Sequence, residues 1–189
     1  MKQGVKIYIN KDVLTSARER ISLMFDKFEN ICCSLSGGKD STVLLHLALE
    51  EAKKRDRKVN VFFLDQEAEY SHTIDIIDYY MRLPNVVPYW YQVPIKMRNV
   101  TSYTEEYLNA WGEGEKWMRP KSEIAIHEVK ADYKARFYDF IDWFEEQWDK
   151  EKTCFLVGLR AEESLNRFRA VTKHPGIDDL MWTTNTKGK

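Results

Sequence analysis

The sequence predicts an α/β fold, a doubly wound, mostly parallel sheet with helices on both faces. Three observations carry that prediction. Short, mainly apolar runs at 31–35, 59–64 and 153–157 have the length and composition of strands buried on both faces. Segments of helical period alternate with them, as a parallel sheet requires. A Gly-Gly turn joins the first run to the helix after it, the place where such sheets bind ligands.

Taken in order, Asn10 is the expected N-cap of a first helix over 11–28. Val13, Leu14, Ala17, Ile21, Met24, Phe25 and Phe28 fall on one face of it. A strand at 31–35 follows, then a helix over 40–55 with Val43, Leu44, Leu47, Ala48 and Ala52 inward. The run at 59–64 is the second strand and 71–81 the next helix. A third strand spans 86–93, where Pro88 places part of it at a sheet edge. Residues 95–125 have no clear period, are punctuated by Gly112, Gly114 and Pro120, and read as an irregular excursion, a lid or a partner surface. The aromatic stripe Val129, Tyr133, Phe137, Phe140, Ile141, Phe144 and Trp148 predicts a helix over 127–148. The fourth strand, 153–157, ends at Gly158, and little period follows Arg160. The expectation is one domain over 1–189.

Composition narrows the function. The 189 residues are 43% apolar and 31% charged, which excludes a disordered or low-complexity chain. No apolar run reaches the ~20 residues of a membrane span, and the first residues lack a secretory apolar stretch. Three cysteines make no disulfide framework, so the expected compartment is the cytoplasm. The net charge of −1 argues against direct nucleic-acid binding through bulk charge. It hides an acidic middle, with 13 acidic and 7 basic residues over 101–151, and a basic end, with 4 and 7 over 152–189. The acidic stretch is a solvated helix or a partner surface, and the basic end is suited to an anionic ligand.

The chemistry gathers at the strand ends. Ser36-Gly37-Gly38-Lys39-Asp40-Ser41 follows the first. Glycines bring backbone close to a ligand, a helix start offers free N–H groups, and Lys39, Ser36 and Ser41 add charge and hydroxyls, which together make a phosphate cradle. The spacing is not Walker A. Leu64-Asp65-Gln66-Glu67-Ala68-Glu69 follows the second strand. Its carboxylates suit Mg²⁺, with Asp65 and Glu67 as ligands, or ribose hydroxyls, or a helix start. Gly158-Leu159-Arg160-Ala161-Glu162-Glu163-Ser164 follows the fourth, with Arg167 and Arg169 beyond. Arginine holds phosphate or sulfate in a fixed fork, and Arg160 is the best-placed one. Tyr89, Trp90, Tyr91, Trp111 and Trp117 pack the core or stack on a base. The four histidines show no metal spacing.

Ser-Gly-Gly-Lys-Asp-Ser after a first strand resembles the PP-loop of the adenine nucleotide alpha-hydrolase-like superfamily. The Gly-x-Arg-x-Glu-Glu-Ser-x-x-Arg element from Gly158 to Arg167 is similar to that of phosphoadenosine phosphosulfate (PAPS) reductases and ATP sulfurylase small subunits. The strings Lys11-Asp12-Val13-Leu14, Glu67-Ala68-Glu69-Tyr70 and Trp117-Met118-Arg119-Pro120 resemble the IbrA-like prophage co-activators of that family. The resemblance implies an adenine nucleotide, ATP or PAPS, with phosphates on Ser36–Ser41, Lys39, Asp40, Arg160, Arg167 and Arg169. The nucleoside would lie along Leu64, Asp65 and Glu67. It implies adenylyl transfer at the α-phosphate with Lys39, Arg160 and Asp40 as the catalytic set, a sulfonucleotide enzyme using an external thiol, or a non-catalytic nucleotide-sensing regulator. A protein partner would bind through 95–151. Departures matter too. No cysteine follows Cys154, so a reductase with its own C-terminal thiol is disfavoured, and three strand cysteines cannot hold an iron–sulfur cluster.

Overall fold

A computed structural model describes residues 9–130 and 136–172. The predicted Tyr133 of the aromatic stripe lies outside them. The helix α1 (Val13–Lys27) is capped by Asp12, not Asn10, since the Asp12 carboxylate accepts the Thr15 N–H at 2.8 Å. The strand β1 (Asn30–Ser34) leads through the glycine loop to α2 (Lys39–Lys54). Then come β2 (Val59–Leu64), α3 (Ser71–Met81) and β3 (Val86–Tyr91). The excursion contains an antiparallel hairpin, β4 (Ile95–Arg98) with β5 (Tyr107–Ala110). The chain continues through α4 (Phe137–Glu146), β6 (Thr153–Val157), a 3-10 turn (Ala161–Glu163) and α5 (Leu165–Thr172).

The helix predicted over 127–148 is shorter in the structure, Phe137–Glu146. Residues 127–130 are not helical, because Ile126 pairs with the end of β3, donating to Trp90 O at 2.7 Å and accepting from Gln92 N. Phe137 opens the helix. Val43, expected inward, is exposed, and Leu45 takes its place.

The sheet is parallel, in the order β3-β2-β1-β6. Right of β1 the chain runs through β2 to β3, and only later returns to β1's other side as β6. The strand order therefore reverses at β1, and the crevice at its carboxyl end is a topological switch point. Each face of the sheet carries its own core. Ile31, Cys33, Val61 and Phe63 face α1, α2 and α3, with Leu45, Ala48, Ala52 and Ile77 fully buried or nearly so. Cys32, Phe62, Leu64 and Tyr91 face α4 and the hairpin, among Phe140, Phe144 and Trp111.

Helices α1 and α2 are tied by Glu51, which accepts from Lys54 Nζ and Arg55 Nε, both at 2.8 Å, and from Ser22 at 3.0 Å. The bond from Lys54, with those from Arg55 and Ser22, holds its carboxyl at about 2. The unfolded value is about 4.3. The folded state thus prefers the ionised form, and the benefit is complete above that value and is lost as pH falls towards 2. Glu51→Gln is expected to lower the neutral-pH melting temperature and to flatten its decline between about pH 5 and 2. An acid limb parallel to wild type would place the acid sensitivity in other groups.

Candidate nucleotide site at the strand ends

The loop after β1 is shaped by its own hydroxyls. Ser36 N–H donates to Ser41 Oγ at 3.2 Å, Ser41 Oγ donates to Gly38 O at 3.0 Å, and the two hydroxyls meet at 3.0 Å. Ser36 and Ser41 therefore knit the loop, Ser36 Oγ also accepting the Gly38 N–H at 3.4 Å. Gly38 is the N-cap of α2 and supplies no side-chain cap, so the first-turn N–H groups open towards the crevice end of the sheet. Gly37 sits at φ +71, and a Cβ there would meet Thr73 Cγ2 of α3 at 2.7 Å. Two independent constraints thus demand glycine. Lys39 is exposed and has no ion pair among the described residues.

The end of β6 packs directly on this loop. A Cβ on Gly158 would lie 3.0 Å from the Asp40 carbonyl carbon and from Ser41 N, so the missing side chain is what lets the two segments touch. Arg160 then reaches back, with its Nε 3.3 Å from Asp40 Oδ2. Glu163 grips the same guanidinium at 2.6 Å and pairs with Arg167. Arg160 is half-exposed, so a ligand can reach it, and Asp40 and Glu163 fix its direction. Arg169 is exposed on α5. Sequence reasoning named Lys39, Asp40 and Arg160, which the fold brings to one crevice. It missed the part of Gly158, which the sequence marks as a strand end and as the first residue of the Gly-x-Arg element.

The second strand end behaves differently. Asp65 is fully buried and accepts from Trp90 Nε1 at 3.0 Å, Gln92 Nε2 at 2.9 Å, Glu67 N at 2.8 Å and Arg119 Nη2 at 2.5 Å. Glu67, at φ +64, accepts the Trp111 N–H at 2.6 Å and the Met118 N–H at 2.8 Å. Both carboxylates are filled by N–H donors, which a cation would have to displace. This donor set does not fit Mg²⁺. Glu69 is the neighbouring carboxyl without such partners; burial, and then the Asp65 charge, raise its pKa. Lys121 lies over the Trp117 ring at 4.5 Å, and burial lowers its pKa.

The three cysteines all lie in β1 and β6. Burial raises every one of them, Cys154 to about 12, and the Cys32 and Cys33 side chains enter opposite cores. None is poised as a thiolate.

Residues 30–172 match the phosphoadenosine phosphosulfate reductase domain. The chain belongs to that family. As a PAPS reductase-family domain it is a PP-loop protein of the nucleotide-binding kind, and the match runs from β1 through α5. It is also 32% identical, over 197 aligned residues, to the uncharacterized protein YbdN of Escherichia coli strain K12. That alignment covers 97% of this chain and 48% of the relative, so the chain spans about half the relative's length. No solved structure gives a significant match. No helix among the described residues is long and apolar enough to cross a membrane.

Proposed function

We propose that the protein binds an adenine nucleotide across the ends of β1, β2 and β6 and supports chemistry at its α-phosphate. The observation that carries this reading is Lys39, free of any ion pair among the described residues, beside an Arg160 aimed by Asp40 at the switch point of a parallel sheet. The loop N–H groups and Lys39 hold the β- and γ-phosphates. Arg160 neutralises charge as it develops, the usual contribution of fixed cations to phosphoryl-type transfer. A nucleophile of a second substrate forms a bond to the α-phosphorus, and its proton goes to solvent. The bond to the bridging oxygen breaks, and pyrophosphate leaves with the electron pair. Arg167 and Arg169 lie further along the same basic end and serve as outer phosphate contacts.

A panel of ATP, AMP, adenosine phosphosulfate and PAPS tests this by thermal shift, followed by an assay of pyrophosphate release. A ligand at 100 times its Kd adds about 2.7 kcal/mol of stability. Lys39→Ala is expected to weaken ATP about 10- to 100-fold, the worth of a charge-assisted contact of about 1.5–3 kcal/mol. Unchanged affinity would remove Lys39 from the site. Preference for PAPS without pyrophosphate release would favour a sulfonucleotide enzyme fed by an external thiol, since Cys32 and Cys33 are buried and Cys154 is half-buried within a strand. Binding without turnover would favour the nucleotide-sensing regulator that the likeness to IbrA-like co-activators implies. Exposed Val100, Tyr103, Met118 and Tyr138 support a protein partner at 95–151 in either case.

A further inference from the structure

Two of the strings singled out in the sequence, at 67–70 and 117–120, meet in the fold. Glu67 accepts the Met118 N–H across a separation of 51 residues, and Arg119 pairs with Asp65. Trp111 is fully buried between them. Its indole donates to Asp65 O at 2.9 Å, its backbone N–H donates to Glu67, and the Arg119 guanidinium lies 4.9 Å from its ring. Trp117 closes the segment on itself by donating to Gly112 O at 2.9 Å. A lid would be weakly held, whereas this segment is fastened at several points by a buried ion pair and backbone bonds. The fastening stands at the carboxyl end of β2, and β2 adjoins β1 and its phosphate loop.

We infer that Arg119 and Glu67 are positioning residues that hold 111–119 as a fixed wall at the nucleoside end of the site. The inference rests on the nucleotide reading above. A wall already in place costs nothing to order when a nucleotide binds, so affinity for the nucleoside portion depends on it. Affinity for phosphate alone, held one strand away at Ser36–Ser41, does not. Asp65 and Glu67 then act on the nucleoside through this wall rather than by touching it.

The test is calorimetry of Arg119→Gln with ATP and with inorganic pyrophosphate, alongside hydrogen exchange over 111–122. The expected result is faster exchange there, ATP weakened tenfold or more, and pyrophosphate affinity within twofold of wild type. Arg119→Lys, which keeps the charge over Trp111, should recover part of the ATP loss. ATP affinity unchanged while the segment exchanges freely would overturn the inference and leave the nucleotide reading intact. Equal loss of both ligands would also overturn it, since the residue would then be structural only. A wild-type protein that binds pyrophosphate but no nucleotide would remove the nucleotide reading and this inference with it.

Discussion

Asp65→Ala is expected to cost about 3–5 kcal/mol of stability, the range for leaving a buried charge without its partner. Arg119, largely but not fully buried, would lose its carboxylate, and the buried Trp90 Nε1 and Gln92 Nε2 would lose their acceptor. Against a total of about 5–15 kcal/mol, that removes about a fifth or more of the folding free energy. Denaturant titration at neutral pH measures it. Asp65→Asn keeps the volume and one acceptor oxygen, and should cost about 1.5–3 kcal/mol, the worth of hydrogen bonds to a charged group. An alanine variant within 1 kcal/mol of wild type would show that the four donors find other partners.

Gly37→Val is expected to be almost as damaging and to strike function directly. A left-handed backbone costs a residue with a side chain about 1–2 kcal/mol, and forcing atoms against Thr73 adds about 1–3 kcal/mol. The loop can relieve both only by moving, so nucleotide affinity should fall with stability. The steric share is separable, because the Cβ conflict is with the Thr73 methyl carbon. Gly37→Ala combined with Thr73→Ser should recover that share and leave the backbone share. Additive behaviour of the pair in a double-mutant cycle would show that Thr73 is not what excludes a side chain.

Much of the fold was legible because the strands are short apolar runs with turn residues at their ends. Strands at 59–64 and 153–157 and the helix at 71–81 begin and end where the sequence places them. The failures have physical causes. Val129 and Phe137 contribute to one aromatic core but from different backbone, so a period of 3.6 ran across a break. Only the pairing of Ile126 with β3, a contact between distant segments, ends the extended stretch. Asn10 and Asp12 are both acceptable caps by type, and the exposure of Val13 shows that the apolar stripe starts later than its residues suggest. At the site, the loop was readable because its residues are contiguous. The occupation of Asp65 and Glu67 was not, since all but one of their donors come from 25 to 54 residues away and a carboxylate's sequence neighbours do not name its partner.

The division of the sheet into two unlike cores also has a consequence for strand pairing. Strands β1 and β2 are apolar on both faces, so hydrophobicity alone would tolerate a slip of one residue between them. Shape does not. A slip would carry Phe62, stacked 4.3 Å from Phe144, into the side filled by α1–α3. It would take Asn60, whose amide donates to Ile31 O at 3.1 Å, into the same dry interior. Val61 would be left facing the aromatic slab with a void around it. Mispairing is thus guarded against by volume rather than by polarity, in a pair of strands that leads into the glycine loop.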